Sequence, residues 1–205
     1  MKYNLKDKAV LVLEDGAVFT GDSVGIKGIS TGEMCFNTGM TGYQEIYTDP
    51  SYAGQIIINT TPHVGNYGTV DLEEESEKVQ FNGLVCNSFA DIFSRRISQA
   101  SLQNYFEKNS IVGISGIDTR KLVRYIRSKG AMNGIISSEE LDIEKLKSKL
   151  ASVPSMEGLE LSSQVSTKEH YFLGSESAKY KVAVLDFGVK RSILTNFVNR
   201  DCYCK

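Results

Sequence analysis

With 205 residues, the chain has room for one ordinary domain and part of a second, since domains commonly hold roughly 100 to 200 residues. Hydrophobic residues make up 41% and charged residues 23%, which excludes a disordered tail or a fibre and leaves enough apolar side chain for a packed core. A net charge of −2 supplies no positive field to hold a nucleic acid or an anionic membrane.

The opening stretch, Met1 to Lys8, carries no apolar leader core. No later run approaches the roughly 18 apolar residues that span a bilayer, so a soluble cytoplasmic protein is expected. Cys35, Cys86, Cys202 and Cys204 lack the paired spacing of a zinc site or a disulfide framework, and reduced, mostly buried thiols are expected. Neither His63 nor His170 belongs to a metal-binding pattern, so no metal site is expected.

In chain order, the apolar run Ala9 to Leu13, the turn Glu14-Asp15-Gly16 and the resumption at Ala17 to Phe19 predict a β-hairpin. Further strands are expected at Glu33 to Asn37, Gln55 to Thr60, Leu84 to Ser88, Ile111 to Ser115 and Gly134 to Ile136. Glycines 21, 25, 28, 32, 39 and 42 punctuate this strand-rich part. Helices follow: Ser101 caps Leu102 to Lys108, and Asp118 caps Thr119 to about Lys129, which Gly130 ends. A third is expected from about Glu139 to Leu150. From Pro154 to Lys179 the sequence is rich in Ser, Gly and Glu and reads as a long connection.

Beyond Tyr180, the run Lys181 to Leu185, the turn Asp186-Phe187-Gly188 and the helical spacing of Ile193, Leu194, Phe197 and Val198 predict strand, tight turn and helix. Cys202-Tyr203-Cys204 then starts another apolar stretch. One such unit cannot cover both faces of a parallel strand, so most of a second domain is expected to be missing. The expected fold class is α/β: a layered β/β/α domain over residues 1–151, a linker over 152–179, and over 180–205 the first strand-helix unit of a truncated, doubly wound domain.

The densest unusual stretch runs from Phe36 through Asn37-Thr38-Gly39-Met40-Thr41-Gly42-Tyr43-Gln44-Glu45 to Thr48-Asp49-Pro50-Ser51-Tyr52. Its glycines and short polar side chains suit a rigid, hydrogen-bonded loop. This run resembles the N-terminal domain of the small, glutamine-hydrolysing subunit of carbamoyl phosphate synthetase. Thr61-Pro62-His63-Val64-Gly65-Asn66, Gly116-Ile117-Asp118-Thr119-Arg120-Lys121-Leu122 and Asp186-Phe187-Gly188-Val189-Lys190 match the same family in the same order, spanning nearly the whole chain.

The resemblance implies a ligase subunit that binds L-glutamine, hydrolyses its amide in a class I amidotransferase domain and passes ammonia to a large partner subunit. ATP and magnesium are expected on that partner, with none in this chain, and the product, carbamoyl phosphate, feeds pyrimidine and arginine synthesis. The family's nucleophile lies in a G-x-C-x-G turn with a later H-x-E, and neither motif occurs in these residues. Cys202 and Cys204 lack flanking glycines and a paired base. No catalytic residue is therefore assigned here, and the chain alone is expected to be inactive, serving to dock the partner and wall the glutamine pocket.

Ser51 is the residue carried over: the family places the Ser after Asp-Pro beside glutamine, where its hydroxyl donates and accepts hydrogen bonds. The plainer reading is a turn-stabilising Ser. Asp49 and Lys190 are candidates to line a polar ammonia exit, against a turn-capping Asp49 and a solvated Lys190. His63 reads as a backbone-bonding histidine, the acidic run Asp71 to Glu77 as a solvated loop or helix start and the basic face of the Thr119 helix as solvated, with docking of the partner the lesser reading for both charged stretches. The rival reading is a non-catalytic module for binding a protein or an amino acid, in which Tyr180 to Lys205 packs as an accessory strand and helix. The enzyme-subunit reading expects exposed apolar surface there.

Overall fold

The computed structural model describes residues 6–205. Residues 1–5, which open the expected first domain and most of the stretch read as lacking an apolar leader, lie outside the described residues. Strands β1 (Lys8–Leu13) and β2 (Val18–Gly25) form the expected antiparallel hairpin. Asp15 Oδ1 accepts the Ala17 N–H at 3.1 Å, and Gly16 takes the left-handed φ of 89° that this turn requires.

There follow β3 (Ile29–Asn37), helix α1 (Tyr43–Tyr47), a 3-10 helix over Pro50–Tyr52, β4 (Gln55–Asn59) and β5 (His63–Val64). A second 3-10 helix (Asp71–Glu73) leads to β6 (Gly83–Val85), β7 (Ser88–Phe89), α2 (Leu102–Lys108) and β8 (Val112–Ser115). Then come α3 (Thr119–Lys129), β9 (Asn133–Ser137), α4 (Ile143–Leu150) and α5 (Ser162–Val165). The last elements are β10 (Tyr180–Val182), α6 (Arg191–Val198) and β11 (Cys202–Cys204).

The chain mixes strands and helices, as the α/β class requires, and where a layered β/β/α unit was expected the N-terminal sheet closes on itself as a barrel. Its order is β1-β2-β8-β6-β4-β3-β9, and β1 is hydrogen-bonded along both edges, by β2 and by β9. A strand paired on both sides leaves no free edge.

In β1 and β4 successive side chains point to opposite faces and nearly all are buried, which explains why these two runs are almost continuously apolar: both faces are covered. Leu11 and Leu13, Ile56 and Ile58, and Ile136 join Met34, Val85 and Ile114 in one cluster with Leu122 and Ile126 of α3. Because β1, β3, β4, β6, β8 and β9 all contribute, this cluster lines the inner face of the barrel. Val10, Val12 and Ile135 point the other way, onto Leu146 and Leu150 of α4. Ile57 and Leu84 likewise face outward, beneath Tyr47, Phe81, Phe89 and Phe106.

Two of the expected helix caps form as read. Ser101 Oγ accepts the Asn104 N–H at 3.1 Å, and Asp118 Oδ1 accepts the Lys121 N–H at 2.9 Å. The third helix starts later than Glu139, because Asp142 is its cap, accepting the Glu144 and Lys145 amides, while Ser137 Oγ holds Glu139 and Glu140 in a turn. The stretch expected as one strand from Leu84 to Ser88 divides into β6 and β7, which pair with different neighbours.

Beyond α4 the connection is less featureless than its composition suggested. It contains α5, and Leu173 bridges to Cys204 through paired backbone hydrogen bonds of 3.0 and 2.9 Å. Strands β10 and β11 pair in parallel, joined by α6: the expected strand, turn and helix form, and the apolar stretch Cys202–Cys204 adds a second strand. The first of these strands spans Tyr180–Val182, shorter than the run read from Lys181 to Leu185, and the Val184 N–H still donates to the Lys205 carbonyl at 2.8 Å. Leu185 at 83% and Phe187 at 68% exposure leave open apolar surface at this unit.

Candidate functional site

The glycine-rich motif is not a simple loop. Gly42, at φ 80°, lets the chain turn into α1, and the Tyr67 hydroxyl accepts both the Gly42 and Tyr43 amides at 2.7 and 3.0 Å, satisfying donors the short helix leaves open. Tyr43 stacks on Tyr67 with ring centroids 4.1 Å apart. At the other end, Asn37 donates to the Tyr52 hydroxyl at 2.8 Å and accepts the Gly39 N–H at 2.7 Å. The motif is thereby closed at both ends, and Asp49-Pro50-Ser51 projects from a fixed base.

Asp49 caps the 3-10 helix: its Oδ1 accepts the Ser51 N–H at 2.9 Å, and Pro50 occupies the first position, where no amide donor is needed. The second carboxylate oxygen lies 3.4 Å from the Lys190 ammonium. Ser51 itself is exposed, and among the described residues its hydroxyl has no hydrogen-bonding partner. Lys190 is therefore paired rather than merely solvated, and Asp49 both caps the turn and bonds to a residue 141 positions away in sequence.

Lys190 is delivered by a second turn. Asp186 Oδ1 accepts the Gly188 and Val189 amides at 2.9 and 2.8 Å, and Oδ2 accepts the Tyr171 hydroxyl at 2.7 Å. Burial pushes the Tyr171 hydroxyl up to about 12, helped by the neighbouring Asp186 carboxylate. Gly188 has a φ of 97°, and a Cβ there would meet Val165 and come within 3.0 Å of Pro50 Cβ. Glycine thus allows this turn to lie directly on the residue preceding Ser51.

The acidic run opens as a short helix, one of the readings expected, but its glutamates are bonded rather than only solvated. Glu73 forms a two-pronged pair with Arg95 at 2.7 and 2.8 Å, Glu74 accepts the Tyr105 hydroxyl at 2.9 Å, and Glu75 bonds to the start of α6. Buried Gln44 holds the base of the same loop, accepting the Val70 N–H at 2.8 Å. Beside these contacts a cleft of about 890 Å³ opens between Pro50, Glu75, Tyr171, Asp186, Gly188 and Arg191.

His63 is exposed at the start of β5, which pairs with β7. Cys202 and Cys204 are buried in β11, and burial, then the adjacent Cys202, raises the Cys204 thiol above its ordinary value. Among the described residues no three His, Cys, Asp or Glu side chains gather as for a metal ion.

Sequence reading singled out Ser51, Asp49 and Lys190, but not Glu75 or the Asp186–Tyr171 bond. Glu75 is one of three successive glutamates, and nothing local to the sequence distinguishes the one that meets α6.

The barrel, the Ser-Asp turn it presents and the strand-helix-strand unit that meets it define a mixed α/β protein with a polar junction between two parts of one chain. A family model described as carbamoyl-phosphate synthase small chain, CPSase domain, matches residues 11–136. The chain belongs to this family. Carbamoyl phosphate synthase small chains from Chlorobaculum tepidum and Vibrio cholerae are 43% and 46% identical to it, over 95% and 97% of this chain. That of Aquifex aeolicus is 45% identical over 95%. These matches cover 53%, 56% and 56% of the relatives' own lengths, so the chain spans about half of each. Among solved structures, an aminopeptidase from Aneurinibacillus sp. strain AM-1 aligns at a TM-score of 0.36 and 13% identity, over 63% of this chain and 30% of that one, too distant to bear on fold or function.

Proposed function

We propose that the chain supplies the N-terminal region of the small, glutamine-hydrolysing subunit of a carbamoyl phosphate synthetase. On this reading residues 1–151 form the unit that docks a large partner subunit and walls the glutamine pocket. Residues 152–179 connect it to residues 180–205, the opening strand-helix unit of a doubly wound amidotransferase domain. ATP and magnesium belong to the partner, and the setting is the cytoplasm, in pyrimidine and arginine biosynthesis.

In the complete subunit a Cys thiolate attacks the glutamine amide, ammonia leaves, and water releases the resulting thioester as glutamate. The chain's own contribution is placement. Ser51 presents a free hydroxyl that donates to and accepts from the amino-acid end of glutamine, and the Asp49 cap fixes the backbone from which it projects. Asp49 and Lys190 together offer an acceptor and a donor with little net field, which suits the passage of neutral ammonia.

The observation that carries this reading is the Asp49 carboxylate, which joins the Ser51 turn to the residue that opens α6. The test is Ser51→Ala in the complete two-subunit enzyme. Glutamine-driven synthesis is expected to need roughly three- to tenfold more glutamine, the worth of one hydrogen bond, while synthesis from free ammonia stays intact. Unaltered glutamine use would remove Ser51 from the pocket.

A further inference from the structure

Helix α6 receives no side-chain cap from Lys190, the residue that precedes it, so its first amides need acceptors from elsewhere. Glu75 provides two. Its backbone carbonyl accepts the Arg191 N–H at 2.8 Å, and its carboxylate Oε2 accepts the Ser192 N–H at 2.9 Å. A carboxylate at this end also meets the positive pole of the helix.

Glu75 is itself held beside the candidate site. Its N–H donates to Thr48 Oγ1 at 2.8 Å, and the Ser76 hydroxyl donates to the Thr48 carbonyl at 2.6 Å. Thr48 is fully buried and directly precedes Asp49. The contacts therefore form a closed circuit: Thr48 to Glu75, Glu75 to Arg191 and Ser192, Lys190 back to Asp49, and Asp49 to Ser51. A circuit anchored at a buried threonine leaves α6 little freedom to slide or rotate relative to the Ser51 turn.

We propose that Glu75 is a positioning residue, capping α6 from a distant loop and thereby setting Lys190 against Asp49 beside Ser51. This rests on the glutamine-site reading above. On this proposal the effect of Glu75 on glutamine use passes through the placement of Lys190.

The experiment uses the complete small subunit assembled with its large partner. Glu75→Ala removes the carboxylate acceptor and is expected to lower kcat/KM for glutamine-driven synthesis about tenfold, the scale of a lost cap, with ammonia-driven synthesis within about twofold of the parent. Glu75→Gln keeps an acceptor oxygen in place and should return glutamine-driven synthesis to within about threefold of the parent. Amide exchange at Ser192 should quicken about tenfold in Glu75→Ala and little in Glu75→Gln. Should Glu75→Ala fail to assemble, Glu75→Asp retracts the carboxylate while keeping its charge, and the same loss is expected.

Faster Ser192 exchange with undiminished glutamine-driven synthesis would make the cap purely structural and overturn the proposal. If Ser51→Ala and Asp49→Asn impair glutamine use while Glu75→Ala does not, the role of Glu75 fails and the site reading stands. If Ser51→Ala and Asp49→Asn also leave glutamine use unaltered, the site reading itself fails.

Discussion

The Asp49 carboxylate is divided between its own turn and a distant helix: one oxygen accepts the Ser51 amide at 2.9 Å, and the other faces the Lys190 ammonium at 3.4 Å. Asp49 is the more enclosed partner, with 13% of its side chain exposed against 41% for Lys190. Its loss therefore removes both a cap and an ion pair, whereas loss of Lys190 removes only the pair.

The two substitutions should be unequal. Asp49→Ala is expected to destabilise the chain by about 1–2 kcal/mol and Lys190→Met by about 0.5 kcal/mol, with a coupling of about 0.5 kcal/mol in the double variant. Urea unfolding of the four proteins measures this. Strict additivity would mean that the pair contributes nothing to folding.

The Asp186 turn makes a pH-dependent contribution. Burial works to raise its carboxyl, but hydrogen bonds from Val189, Tyr171 and Gly188 outweigh it and hold the group below the ordinary 3.8. A depressed acid binds its proton less readily folded than unfolded. Its stabilisation is thus present above pH 3.8 and lost as the pH falls through the lower folded-state value. The stability gap between the parent and Asp186→Asn should narrow as pH is lowered from about 5 through this range. A gap independent of pH would show that the carboxylate charge plays no part.

Thiol chemistry should follow burial. Cys86 is fully buried and its thiol is pushed up to about 12, so at about pH 8 it presents almost no thiolate. Cys35 is half-buried and raised more modestly, by burial and then by Glu33. Pulse alkylation read by mass spectrometry should label Cys35 in the folded chain and Cys86 only after denaturant is added. Prompt native labelling of Cys86 would contradict the closed packing around it.

Glycine substitutions should separate crowding from backbone preference. A Cβ on Gly21 of β2 collides with the Ser115 carbonyl of β8, and backbone cannot swing aside, so Gly21→Ala should cost more than about 3 kcal/mol. Gly130 ends α3 at φ 102° with nothing within 4 Å of an added Cβ, and Gly130→Ala should cost only about 1 kcal/mol. Thermal unfolding of both variants checks the order, and equal losses would refute the crowding at β2.

Local rules suffice where a residue and its partner are near in sequence. Ser101 and Asp118 begin their helices, Gly130 ends one, and Asp15-Gly16 turns the first hairpin, because caps and turns join residues within a few positions. Helix α4 illustrates the limit: Glu139, Asp142 and the intervening residues all suit a helix start, and the hydrogen bonds of Ser137 and Asp142 choose between them. The apolar runs Ala9 to Leu13 and Gln55 to Thr60 declare strands, yet not that both faces are buried by one closed sheet.

The order of its motifs alone marked this chain's family and drew attention to Ser51, Asp49 and Lys190. Only the tertiary structure decided that Asp49 meets Lys190, that Gly188 lies on Pro50, and that Glu75, among three adjacent glutamates, caps α6. Hydrogen bonds and ion pairs act over a few ångströms, and the chain brings residues more than a hundred positions apart within that range only after the barrel and α6 have packed.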